Sequence, residues 1–137
     1  MTMKKLITLA ALLAASFGAQ AQSEQVQDYF AELVPENVSE YAQTVEQAHI
    51  CFAYANELDT DKGLITFWGL VNQAHWTAEA ERGLPSSLSD AAADQTYALM
   101  GSVANGMMTW SDINQTAKCT DTYAQHFTAM QQLTQNK

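Results

Sequence analysis

Glu46-Gln47-Ala48-His49 sets a carboxylate and an imidazole three residues apart. On a helix that spacing turns both toward one face, which is how a di-metal bundle presents its ligands. Such a centre also needs a second E-x-x-H and two further inward glutamates. The residues three before His75 and His126 are Asn72 and Tyr123, so the second copy is missing. His75 and Glu79 form the next pair, one turn apart and able to move a proton or hold half a metal site. The plainer role for them is a helix-surface hydrogen bond worth roughly a few tenths of a kcal/mol. Glu46, His49, His75, Glu79 and His126 are thus the weak metal candidates. No H-E-x-x-H or clustered Cys/His spacing joins them, and no cofactor is expected.

Haem has little to hold it. There is no C-x-x-C-H attachment site. A methionine paired with His126 is the remaining non-covalent option, but six methionines in an apolar helical chain are more simply core filler. Nucleophilic catalysis lacks its G-x-S-x-G elbow, and nothing selects a histidine partner for Ser102. An enzyme is not expected.

The remaining reactive residues are Cys51 and Cys119, the only two cysteines. Their chemistry depends on compartment. Lys4 and Lys5 precede the short apolar run Leu6–Phe17, and Ala19-Gln20-Ala21 supplies a small-x-small cleavage pattern. Residues 1–21 therefore read as a cleaved signal peptide, too short in its apolar core to span a bilayer. The mature chain, residues 22–137, is one helical domain in size, and is expected to be periplasmic or secreted. In an oxidising compartment two cysteines pair, so a Cys51–Cys119 disulfide is expected.

Charge narrows the partners. The whole chain carries −9. Removing Lys4 and Lys5 leaves Lys62, Arg82, Lys118 and Lys137 against fifteen acids, a net of −11. Such a chain repels phosphate backbones and anionic lipid, which argues against nucleic acid and membrane. A protein partner is expected, a basic one being favoured, with a homodimer left open.

The elements that must position these residues are helices. Val26, Tyr29, Phe30, Leu33 and Val34 form one face of a short helix that Pro35 ends. Asn37, with Glu40 three residues on, caps a helix over 38–58. Apolar residues cover more than half of its girth around Ala48–Tyr54, which makes it central. A third helix, 62–82, carries Leu64, Phe67, Trp68, Val71, Ala74, His75 and Ala78, and Arg82-Gly83-Leu84-Pro85 stops it. Ser87-Leu88-Ser89-Asp90 reads as a capping pattern for 87–109. That helix is rich in alanine and glycine and is expected to lie close against another. Asp112 and Gln115 read as the cap of a last helix, 112–134, with Cys119, Tyr123, His126 or Phe127, Met130 and Leu133 inward. No period-two run suggests a strand.

The predicted fold is all-α: a disulfide-stapled up-down four-helix bundle with a short extra N-terminal helix. The function expected of it is a small exported protein-binding module, an inhibitor or immunity-type protein that neutralises a partner. Trp76, Trp110, Glu79 and Glu81 are its candidate interface residues. The alternatives are a periplasmic carrier of a small apolar ligand, haem or metal, with a pocket lined by Met100, Met107, Phe52 and Trp68, or an enzyme of unidentified type.

Overall fold

The computed structural model describes residues 24–135, and these form six helices with no strand among them. The export signal read at residues 1–21 lies outside the described residues. The helices are α1 (Glu24–Glu32), α2 (Val38–Leu58), α3 (Lys62–Arg82), α4 (Ser87–Ala104), α5 (Trp110–Ala117) and α6 (Cys119–Gln135). None of them is long and apolar enough to cross a membrane.

Helix α2 starts where Asn37 Oδ1 accepts the Glu40 amide at 3.1 Å. It ends at Asp59, in the left-handed region at φ 49°. Helix α3 starts on Asp61, whose carboxylate accepts the Leu64 amide at 3.2 Å. It ends at Gly83, φ 66°, a conformation that costs a residue without Cβ little. Both spans match those read from periodicity. Helix α2 packs against α3, α4, α5 and α6, while α1 rests on α3 and α6. The centre of the fold is therefore the apolar girdle of α2, where Ala48, Cys51 and Ala55 are buried against Phe67, Trp68 and Val71 of α3. Enclosing side chains of this size stabilises the fold by roughly 1.5–3 kcal/mol each.

Helix α4 departs from expectation. It stops at Ala104, not 109, because Gly106 turns left-handed at φ 75° and the Met107 amide bonds back to the Ser102 carbonyl at 2.9 Å. No side chain caps its start; Ser86 occupies that position in the helical region. Ser89 gives its hydroxyl to Glu79 of α3 instead. Helix α4 runs alongside α2 in the same direction. Ala92, near its start, shares a core cluster with Tyr41 and Val45, and Trp110, beyond its end, meets Tyr54 with ring centroids 6.4 Å apart. Of the small residues only Ala92 is buried against α2; Ala91, Ala98, Gly101 and Ala104 are exposed, and at Gly101 an added Cβ would meet nothing within 4 Å.

The expected last helix, 112–134, is two helices. Thr109 and Asp112 form a capping box, each side chain accepting the other's amide at 3.1 and 3.0 Å, so α5 starts at Trp110. It ends at Lys118, a non-glycine residue in the left-handed region at φ 57°. Asn114 holds the break: its carbonyl oxygen accepts the Lys118 amide at 2.7 Å, and its side chain accepts the Thr120 amide at 3.0 Å. The chain resumes as α6 at Cys119.

Cys51 and Cys119 are disulfide-bonded, with Cα atoms 5.2 Å apart and both side chains fully buried. Further along, Tyr123 lies over Gly63 so closely that a Cβ there would sit 2.3 Å from its hydroxyl.

Two outcomes are expected. Replacing both cysteines by alanine lowers the free energy of unfolding by about 4 kcal/mol in the chain-entropy picture of a loop this long, read from urea titration; an unchanged midpoint would contradict it. Gly63→Ala destabilises although alanine is the better helix former, and Tyr123→Phe recovers part of the loss, so a double-mutant cycle gives a coupling on the order of 0.5–3 kcal/mol.

Candidate functional site

His75 and Glu79 sit at the junction of α2, α3 and α4. His75 is 1 % exposed. Its Nδ1 lies 2.8 Å from the Val71 carbonyl and its Nε2 2.8 Å from Thr44 Oγ1. A carbonyl can only accept, so Nδ1 carries the proton; the Thr44 hydroxyl also lies 3.1 Å from the Tyr41 carbonyl and shares its single hydrogen between that oxygen and Nε2. Burial lowers the pKa of His75 below 6.5, with the neighbouring His49 and Arg82 charges acting in the same direction. Tyr41 lies beside the ring, tilted by 43° at a centroid distance of 5.2 Å, and donates its hydroxyl to the His75 carbonyl at 3.0 Å. Glu79 stands 3.5 Å from the Tyr41 hydroxyl and accepts from Ser89. Burial and then the Glu79 charge raise the Tyr41 pKa. The pair picked out by spacing therefore meets three partners that spacing did not pick out: Tyr41, Thr44 and Ser89. This cluster ties three helices together around a fully enclosed imidazole.

The other metal candidates stand apart. Glu46 is exposed, and His49 turns its Nδ1 onto the Val45 carbonyl of its own helix at 2.9 Å. His126 is stacked on Phe67 at 5.7 Å and hydrogen-bonded to the Tyr29 hydroxyl, which fastens α1 to α6. Burial lowers the His126 pKa and raises that of Tyr29. Among the described residues no three His, Cys, Asp or Glu side chains group in a way that could hold a metal ion. Asn72, buried beside the disulfide, donates to the Ala48 and Trp68 carbonyls at 2.9 and 2.8 Å, leaving its Oδ1 without a hydrogen-bond partner.

The interface candidates do not form one surface. Trp76 is 50 % exposed and follows His75, which packs on Tyr41 in the first turn of α2. Trp110 is half-buried against Tyr54, thirteen residues further along α2, a separation of about 20 Å by helical rise. Glu81 is exposed, whereas Glu79 is turned into the polar cluster. The proposed ligand-pocket set is not assembled either: Trp68 is 1 % exposed and Met107 is 78 % exposed, so they cannot line one enclosed cavity.

The surface that stands out lies on α4. Of its eighteen residues only Ala92 is buried. Tyr97, exposed at 72 %, and Met107, just beyond the helix end, are the most exposed large apolar side chains described. Asp90, Asp94, Gly101 and Ala104 are exposed beside them. The inward stripe read from spacing, Leu88, Ala92, Leu99, Met100, Val103, Met107 and Trp110, leaves out Tyr97, the only aromatic residue between Gly83 and Thr109; its placing of Met107 inward is corrected by the left-handed turn at Gly106, which leaves that side chain exposed.

The comparisons add no relative: the chain matches no family model, no curated protein and no solved structure.

The two enclosed histidines set an expected pH dependence. In the unfolded chain each titrates near 6.5; in the folded chain burial holds both below that value. Acid therefore favours the unfolded state. The contribution of these two groups is level above about pH 7 and declines as pH drops below about 6.5. Urea titrations between pH 5.5 and 8 check this. His126→Gln flattens part of the slope, and the His75 ring signals in an NMR titration have their midpoint below 6.5.

Proposed function

We propose that this protein is an exported binding module that neutralises a partner protein, of the inhibitor or immunity type, in the periplasm. The observation that carries the reading is the unpartnered face of α4, which keeps Tyr97 and Met107 in solvent. Exposed aromatic and methionine side chains cost a soluble protein solubility, and at interface centres they supply much of the binding energy. A disulfide-fastened scaffold supports the same reading, because a pre-ordered surface loses little conformational freedom on binding. We read α2, α3, α4 and the α5–α6 pair as the four arms of an up-down bundle with α1 as the extra helix; short connections support this. The leader read at residues 1–21 supports export.

The test is recovery of a partner. Affinity-tagged protein, expressed with its leader in the source cells and cross-linked before lysis, should retain one protein in roughly stoichiometric amount. Tyr97→Ser with Met107→Ser should lose most of it. Wild-type protein recovered alone overturns the reading.

A further inference from the structure

We infer that the partner presents a cationic amphipathic helix, which lies along α4 with its basic residues over Asp90 and Asp94 and its apolar side on Tyr97. This rests on the binding reading above and gives it a site and a chemistry. Asp90, Asp94, Tyr97, Gly101 and Ala104 follow one another at spacings of four, three, four and three residues, and all five are exposed. That alternation averages 3.5 residues, the period with which one helix offers a straight seam to another. The seam is graded. Its first two positions are carboxylates; Tyr97 is an aromatic anchor; Gly101 and Ala104 leave room for side chains of a facing helix. An added Cβ at Gly101 would meet nothing within 4 Å, so this chain fills none of that space itself.

Charge selects the occupant. No lysine or arginine occurs from Gly83 to Ala117, so this stretch supplies no cation to Asp90 and Asp94. The described residues hold three cations, Lys62, Arg82 and Lys118, against all fifteen acids. A second copy would therefore bring more carboxylate to a seam that needs positive charge. An anionic membrane or a nucleic acid would be repelled. A helix bearing lysine or arginine along one edge and apolar residues along its centre satisfies both halves of the seam. Complementary charge would also speed its association.

The experiment uses the whole mature protein with its disulfide intact. The probe is a fluorescein-labelled 21-residue peptide of leucine and alanine heptads with lysine at its charged positions; the same peptide with glutamate is the control. Anisotropy titrations should show the lysine peptide binding at least about tenfold tighter than the glutamate one, with affinity falling as salt rises. Asp90→Asn combined with Asp94→Asn, Tyr97→Ala, and Gly101→Arg should each weaken it by about tenfold or more. Glu24→Gln combined with Glu32→Gln, on α1, should leave it unchanged. All these positions are exposed, and a melting curve for each variant checks that the fold is kept. Equal loss from the α1 pair would mean diffuse charge attraction and overturn the inference. So would indifference to Tyr97 and Gly101, or a dimer in sedimentation that Gly101→Arg dissociates. A partner recovered by cross-linking that ignores all α4 substitutions overturns this inference and leaves the binding reading standing; wild-type protein recovered alone overturns the binding reading itself.

Discussion

The bond between Cys51 and Cys119 is the constraint on which the other contacts depend. It joins the middle of α2 to the first residue of α6, closing a sequence separation of 68 residues. Two hydrogen bonds brace it on either side. The Trp68 indole donates to the Cys119 carbonyl at 3.2 Å, and Gln47 donates to the Ala117 carbonyl at 2.8 Å. Helices α2 and α3 thus both grip the point where α5 turns into α6. That turn is made by Lys118 in the left-handed region, a conformation that disfavours any residue carrying a Cβ. Its local cost is offset by what it allows: α5 ends and α6 begins at Cys119, which is fully buried.

Around this centre the peripheral helices are fastened by polar pins seated in aromatic surroundings. The Tyr29–His126 bond holds α1 against α6, on a floor formed by Phe67. The Thr44–His75 and Tyr41–His75 bonds join α2 to α3, and the Ser89–Glu79 bond extends that junction to α4. A hydrogen bond of this kind contributes about 1 kcal/mol when made and costs more when one partner is removed. Histidine is suited to such pins while neutral, because one ring nitrogen donates and the other accepts. The same arrangement makes the fold acid-sensitive.

Helix α4 is fastened at one end. Ser89 and Ala92 anchor its start, and its later turns rest on α2 with Leu99, Met100 and Val103 only partly buried. A helix placed in this way adds little to the core and exposes much. Its stability is therefore drawn from α2, while its outer seam, with Asp90, Asp94 and Tyr97, stays in solvent.

How much of this was legible in the sequence can be judged element by element. Periodicity and caps located α2 and α3 to the residue, because Asn37, Asp61 and Gly83 act locally, through hydrogen bonds and dihedrals spanning a few residues. Two cysteines in a chain whose first residues read as an export leader were enough to indicate their pairing. The all-helical class followed from the absence of any alternating run. What the sequence by itself could not determine was anything that depends on which helix lies beside which. The split at Lys118 required a left-handed residue that is neither glycine nor asparagine, held by Asn114 and Thr120 across the gap. The company kept by His75 and Glu79 required α2 and α4 to converge on α3. The separation of Trp76 from Trp110, and the exposure of Tyr97, were decided only when α4 settled along α2. A side chain's exposure is a property of its neighbours, and those neighbours are distant in the chain.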